Sequence, residues 1–369
     1  MNALEPLQLV ERNHVRWRGR KLVYFSGCDY FRLASHPAVL KAAADGLKKF
    51  GLNVAASRLT TGHHRIYDEL ESALANFFNA PSAVLLPGGY STSTVVAQAL
   101  AGEFAFALID ERAHPALQDA AMHLGCRVTK FKHRAAADLK RFVQPLSGRK
   151  IIVLTDGMFS HNGSAAPLKA YLKVLPRTAQ LLVDDAHGAG VLGPNGQGTL
   201  EHEGVARRRI IQCVTLSKAF GVYGGAVLGA VALREKILAR SRAFIGCTPL
   251  PLPQANAALK SVMLLQRDDR MRVRLHRNAE TVKVALRRAG FEIPPMPGPI
   301  VAVHPASVAE VQRLKRQLLS VGIYPPFLRY AGVERGFFRF VISSEHTAQQ
   351  LSLLASTLTK VRGSLESRS

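Results

Sequence analysis

The chain has 369 residues, 47% of them hydrophobic and 20% charged, with 49 Lys and Arg against 26 Asp and Glu for a net charge of +23. This composition excludes a disordered or fibrous chain, the length exceeds a single hydrophobic core so that two domains are expected, and the basic balance favours anionic partners. No apolar run reaches the length of a membrane span, and the opening MNALEPLQLVERNHVRWRGRK lacks the apolar core of a signal peptide, so a cytoplasmic protein without a membrane span is expected.

Residues 1–25 are polar and basic, and RWRGRKLVYF within them predicts a short strand or arm. SHPAVLKAAADGLKKFG (35–51) carries a helical pattern closed by Gly51 as a C-terminal cap, and HHRIYDELESALANFF (63–78) spaces its apolar residues as an amphipathic helix does. Short buried-strand candidates then alternate with helical segments: AVLLPG (83–88), FAFALID (104–110), RVTKF (127–131), KIIVLTD (150–156), QLLVDD (180–185), IIQCVTLS (210–217) and GAVLGAVAL (225–233). Alternation at this pitch predicts an α/β fold with a mostly parallel sheet covered on both faces. One long helical stretch is expected over 252–289. After the turn-rich IPPMPGP (293–299), the chain reads VAVHP, a helix at 307–321, YPPFLRY, FFRFVIS and a last helix from 347, a compact α+β unit. The expected division is an N-terminal arm (1–34), a large domain (35–265) and a small C-terminal domain (266–369).

Two of these strands end in chemistry. QLLVDD presents Asp184 and Asp185 on opposite faces, with His187 three residues beyond Asp184. In open α/β sheets, ligands sit at the carboxyl ends of strands, so one of the two carboxylates should face a crevice; the alternative is a strand-end Asp that caps the next turn. IIQCVTLS is followed by Lys218, set between Thr215, Ser217 and the glycines 221, 224 and 225. Its small and apolar neighbours suggest a partly desolvated amine of lowered pKa, although strand-end lysines are commonly solvated. LLPGGYSTSTVV leads through Gly88 and Gly89 into a helix near Tyr90, whose exposed amides suit a phosphate; the sequence is neither a Walker A loop nor a GxGxxG turn. An amine nucleophile, a buried carboxylate and phosphate-sized glycine loops together fit a pyridoxal phosphate site. His114 in DERAHPAL could stack on a planar cofactor or cap a helix, and Arg339, alone in an apolar strand, suits an internal pair or a bidentate carboxylate clamp.

Cys28, Cys126, Cys213 and Cys247 are scattered without a CxxC pair, so reduced, mostly buried thiols and no metal site are expected. The densest basic runs, RRR (207–209) and RDDRMRVRLHR (267–277), lack interleaved aromatic residues. The second reads as a solvated helix face, and a specific nucleic-acid site is not expected.

In order along the chain, YFSGCDYFRLASHP, SRLTTGHHRIYDELE, LLPGGYSTS, DERAHPAL, DGMFSHNGSAAPL, VDDAHGAGVLG, TLSKAFGVYGG, CTPLPLPQ and RFVISSEHT resemble the α-oxoamine synthases. These are fold-type-I pyridoxal phosphate enzymes such as 8-amino-7-oxononanoate synthase and glycine C-acetyltransferase. The resemblance runs from about residue 23 to 355 and implies a mostly parallel seven-stranded sheet in the large domain. It implies that Lys218 forms the Schiff base and shuttles a proton, that Asp184 partners the ring nitrogen, that His187 lies near the phenolic oxygen, and that His114 stacks on the ring with Ser160 close by. It assigns the phosphate to the amides of Gly89 and Tyr90 and to Thr215, with Thr248 reaching the site of a second subunit, and hence a homodimer with its active site at the subunit interface. Arg339 matches the arginine that binds the amino-acid carboxylate, and Cys28 stands where the family has an Asn near substrate. The implied reaction joins a small amino acid, such as L-alanine, to an acyl-CoA or acyl-carrier-protein thioester, with decarboxylation.

The departures fall at substrate-facing positions. The family's GSGGSR becomes NVAASR (53–58) with Ala55 and Ala56, FSMDG becomes FSHNG with His161 and Asn162, and RPPTVP becomes YPPFLRY without its Arg. Ser57, where 5-aminolevulinate synthases tend to have Thr, points away from strict glycine use. Other reactions on the same fold, an aminotransferase or a lyase, stay open at this stage, as does a basic binding protein on a degenerate scaffold.

Overall fold

The computed structural model describes residues 5–146, 148–329 and 336–366, with side chains described as far as 362. Tyr330, the end of the YPPFLRY segment, lies outside the described residues. The chain forms two units, one of His36–Phe159 and Ser164–Asp269, the other of Met1–Ser35, Ser160–Gly163 and Arg270–Ser369. No helix among the described residues is long and apolar enough to cross a membrane.

The second unit opens the chain with a small antiparallel sheet of β1 (Gln8–Glu11), β2 (His14–Trp17) and β3 (Arg20–Val23). The sheet-bearing unit follows: α1 (Pro37–Phe50), α2 (Arg65–Phe77), β4 (Ser82–Leu86), α3 (Tyr90–Ala99), β5 (Phe106–Asp110), α4 (Pro115–Met122), β6 (Arg127–Phe131), α5 (Ala136–Val143), β7 (Ile151–Asp156), α6 (Leu168–Val174), β8 (Gln180–Asp184), α7 (Thr199–His202), β9 (Ile210–Thr215), β10 (Gly225–Gly229), α8 (Val231–Arg240), α9 (Arg242–Ile245) and α10 (Leu252–Arg267). As predicted, Gly51 ends α1: it takes φ +74°, and its N–H donates to the Leu47 carbonyl at 3.1 Å.

The seven strands run in the order β4-β10-β9-β8-β7-β5-β6. The five from β9 to β6 are parallel, whereas β10 pairs antiparallel with both β9 and β4. Every residue of β7, β9 and β10 is buried, which is why these strands read as continuous apolar runs. Their alternation still sorts the core into two layers. Ile152 and Leu154 pack with Val96 and Leu117 on one side, and Ile151 and Val153 pack with Leu181, Val183 and Tyr171 on the other.

In the second unit, α11 (Arg270–Arg288), β11 (Ile300–Val303), α12 (Val308–Ser320), β12 (Phe327–Leu328), β13 (Phe337–Val341) and α13 (Ala348–Glu366) surround an antiparallel sheet of order β11-β13-β12. Its core joins Leu286, Val301, Phe338, Phe340, Leu354 and Leu358. The turn-rich segment before β11 is pinned by a buried amine. Lys283 donates to the carbonyls of Met296 and Gly298, both at 2.6 Å, and burial brings its pKa down to about 8.

Three sequence expectations change. The helical stretch over 252–289 is two helices, because Asp268 takes extended backbone angles after α10. GAVLGAVAL divides at Ala230, its last residues opening α8 instead of prolonging the strand. The basic run 267–277 is not wholly a solvated face, since Arg272 is buried and Arg274 pairs with Glu345 at 2.7 Å. All four cysteines are free thiols, but only Cys213 is fully buried.

Candidate active site

The two aspartates that close β8 have separate fates, and packing decides which is which. Asp185 is wholly buried and saturated: it accepts from the Thr199 amide at 2.7 Å, the Thr199 hydroxyl at 2.6 Å and the Gln212 side-chain amide at 2.7 Å. A Cβ at Gly157, Gly188 or Gly198 would lie 2.2, 2.1 or 2.1 Å from its carboxylate oxygens, so glycines line this carboxylate closely. Asp184, by contrast, accepts from the Ala186 amide at 3.1 Å and lies within the electrostatic reach of Lys218 and His114. Burial pushes its carboxyl above the ordinary range, and the Lys218 and His114 charges pull it back. Asp184 is therefore the aspartate with an amine and an imidazole as its neighbours, and Asp185 is tied into the turn that carries His187, which is itself buried.

Lys218 follows β9 in a loop tied at both ends. The Leu216 amide donates to Gly224 at 2.9 Å, Val222 to Leu216 at 3.0 Å, and Gly221 to the Lys218 carbonyl at 2.9 Å. The lysine is half-buried at the carboxyl end of the strand neighbouring Asp184. Facing it across β10, Gly88 and Gly89 lead into α3, whose first turn has no side-chain cap. A Cβ at Gly89 would lie 2.5 Å from the Thr215 side chain, and one at Gly225 would lie 2.8 Å from Gly89 Cα, so only glycines allow these backbones to converge. The uncapped amides of α3, the positive end of its dipole and the Thr215 hydroxyl form a cradle suited to a phosphate.

His114 fills the capping role considered for it. As N-cap of α4 its Nδ1 accepts from the Ala116 amide at 3.2 Å, while its ring lies edge-on to Tyr90 with centroids 6.1 Å apart. Burial lowers its pKa, Asp184 opposes that and Lys218 adds to it, so the ring is held toward its neutral form. The His114 backbone N–H donates to Asp156 Oδ2 at 2.9 Å. Asp156 was not among the residues singled out from sequence. The available signal was a lone carboxylate closing an otherwise apolar strand, the same signal that marks Asp184.

In the other unit, Arg339 Nη1 donates to the Ser160 carbonyl at 3.2 Å. Tyr30, fully buried, bonds the Cys28 thiol and lies within the charge of Arg339; burial raises its hydroxyl well above the ordinary value. Cys28, Arg339 and Ser160 thus form one cluster. Ala55 stands at φ +51°, a backbone angle suited to the glycine of the family pattern, and its N–H is held by Asn53 Oδ1 at 2.6 Å. Ser57 Oγ donates to the Ile245 carbonyl at 2.6 Å, and Thr248 is exposed in the segment after α9. The RRR run is structural in part: Arg207 bonds the Phe78 carbonyl at 2.8 Å and Arg209 the Pro176 carbonyl at 2.7 Å.

The donor set fits pyridoxal phosphate: an amine, a buried carboxylate under cationic influence, a neutral imidazole and an uncapped glycine cradle. Comparison with known proteins agrees. Residues 21–358 match the family model for aminotransferase class I and II. A putative 8-amino-7-oxononanoate synthase of Desulforudis audaxviator is 33% identical over 97% of this chain and 94% of its own length. The 8-amino-7-oxononanoate synthase of Thioalkalivibrio sulfidiphilus is 35% identical over 94% of this chain and 90% of its own. Among solved structures, serine palmitoyltransferase from S. paucimobilis superposes with a TM-score of 0.91 at 25% identity, covering 98% of this chain and 93% of that one. The chain belongs to the aminotransferase class I and II family, among its fold-type-I α-oxoamine synthases.

Proposed function

We propose that this chain is a pyridoxal phosphate-dependent C-acyltransferase of the 8-amino-7-oxononanoate synthase kind. It condenses a small amino acid, such as L-alanine, with an acyl thioester of coenzyme A or a carrier protein, and releases the thiol and carbon dioxide to leave an α-amino ketone. The observation that carries this reading is the buried Asp184 at a strand end, within reach of the Lys218 amine and the neutral His114 imidazole, with the uncapped α3 cradle in the same unit. When bound, the cofactor supplies the electron sink that amino-acid side chains lack.

Lys218 is the residue that holds the cofactor covalently and moves the proton at the amino acid's Cα; a positioned base of this kind contributes roughly 10²–10⁴-fold. Asp184 would keep the ring nitrogen protonated, and His187 would support the phenolic oxygen from the turn that Asp185 fixes. The neutral His114 ring would cover the cofactor and exclude water there. The amides of Gly89 and Tyr90, with Thr215, hold the phosphate. Arg339 binds the substrate carboxylate through its planar guanidinium, Ser160 lies close to the cofactor, and Cys28 contacts substrate.

The proposed active form is a homodimer in which Thr248 completes the partner's phosphate site. The test is direct. Purified protein given L-alanine and a panel of acyl-CoA thioesters should release free thiol and carbon dioxide in equal amounts. Keto-acid formation without thiol release would instead make the chain an aminotransferase.

A further inference from the structure

We propose that Asp156 is a positioning residue that works as a neutral acid, anchoring the main chain of His114 and leaving Asp184 as the single anion at the cofactor's ring nitrogen. This rests on the assignment of Asp184 and His114 to the cofactor and adds a residue to it.

Asp156 and Asp184 end neighbouring parallel strands in register, so their side chains leave the same face of the sheet about 4.8 Å apart at the backbone. Both are buried, at 6% and 7% exposure. Two carboxylates so placed in a desolvated site do not both ionise, and their surroundings decide which keeps the proton. Asp184 faces the Lys218 amine, the His114 imidazole and the Ala186 amide. Asp156 lies between the negative charges of Asp184 and Asp110, with Lys218 a weaker influence and the His114 amide as its hydrogen-bond donor.

Asp110, at the end of β5, is itself satisfied. It pairs with His133 at 2.9 Å and accepts the amides of Arg112 and Arg134 at 2.9 and 3.0 Å. It therefore stays ionised and adds to the field against a charge on Asp156. Burial, first, and Asp184, second, drive the Asp156 carboxyl far above the ordinary range. The proton of the pair accordingly sits on Asp156.

The positioning follows from one bond. His114 is the N-cap of α4, so its backbone N–H lies outside the helix ladder and is taken by Asp156 Oδ2 at 2.9 Å. That bond sets the start of α4 and with it the plane of the His114 ring.

The experiment compares the reconstituted holoenzyme with Asp156→Asn and Asp156→Ala. It follows visible absorbance from pH 5 to 9, visible circular dichroism, and the dissociation constant of pyridoxal phosphate from apoprotein. Asn reproduces a neutral acid, so its spectral midpoint should stay within about 0.3 pH units of the parent. Ala should lose at least half the visible dichroism and bind cofactor at least ten-fold more weakly. A midpoint shift of one unit or more in Asp156→Asn would show a charge at this position and overturn the proposal. So would parent-like dichroism and affinity in Asp156→Ala. Should the Ala variant not fold, the Asn midpoint decides alone. Lys218→Ala runs alongside: if it keeps the parent's visible band, the assignment of the site has failed, and not the role of Asp156 within it.

Discussion

Replacing Asp185 tests the claim that the paired aspartates divide structure from chemistry. Asp185→Leu preserves approximate shape but removes the acceptor for three buried donors: the Thr199 amide, the Thr199 hydroxyl and the Gln212 amide. Each orphaned donor costs about 1–3 kcal/mol, and relief from burying a charge returns part of the sum, for a net loss of about 3–5 kcal/mol. Asp185→Asn can keep the network, its oxygen taking the Thr199 and Gln212 N–H groups while its NH2 donates to the Thr199 hydroxyl, and should cost about 1–2 kcal/mol. The sign of the pH dependence follows as well. Burial raises the folded pKa of Asp185, so its ionisation opposes folding, and stability declines as pH rises from the unfolded value through the folded one. The Asn variant should lack that decline. Hydrogen–deuterium exchange of the 185–202 segment is the assay: the Leu variant should lower protection at Thr199 by about 10²–10⁴-fold, at 1.36 kcal/mol per decade. Unchanged protection in Asp185→Leu would refute the reasoning.

Other perturbations follow from the same structure. Lys218→Ala should abolish the visible absorbance of reconstituted protein and lower turnover at least about 10³-fold, read by spectrum and thiol release. Gly89→Ala would set a methyl 2.5 Å from the Thr215 side chain, and its dissociation constant for pyridoxal phosphate should rise at least ten-fold, by about 1.4 kcal/mol, measured by cofactor titration. Burial lowers His346 to about 3, below its unfolded value. Its contribution to stability is therefore fully present above about pH 6.5 and lost toward pH 3 at up to about 1.4 kcal/mol per unit; urea midpoints should show this slope in the parent and lose it in His346→Asn. Ala55→Gly, at φ +51°, should raise stability by about 0.5–1 kcal/mol, visible as a higher Tm.

The strands were legible because burial on both faces makes β7, β9 and β10 continuously apolar, a pattern composition alone can carry. The direction of β10 was within reach too: the nine residues from Leu216 to Gly224 are too few for a parallel crossover, so the pair had to be a hairpin. The choice between Asp184 and Asp185 was legible through the family resemblance but not through the strand pattern. Alternation places them on opposite faces, but only the arrival of Thr199 and Gln212 on one face identifies the structural partner. The break at Asp268 escaped because a charged pair within an Arg-rich helical pattern looks like a solvated turn of helix.

The departures from the family pattern differ in kind, and that difference bears on specificity. Ala55 changes the residue but not the path, since its backbone keeps the left-handed conformation a glycine would take. Cys28 changes the chemistry: a thiol bonds the Tyr30 hydroxyl beside Arg339, where an Asn would offer both a carbonyl and an amide. A thiol is a weak donor and a weak acceptor, so it leaves polar groups of a bound substrate less well matched and apolar ones better tolerated. Cofactor-facing positions, from Gly89 through Asp184 to Lys218, carry no such change. An acyl-chain panel run on the parent and on Cys28→Asn should show the substitution moving substrate preference while the visible spectrum of the bound cofactor stays fixed. A spectrum that moves with Cys28 would place the thiol at the cofactor and undo the distinction.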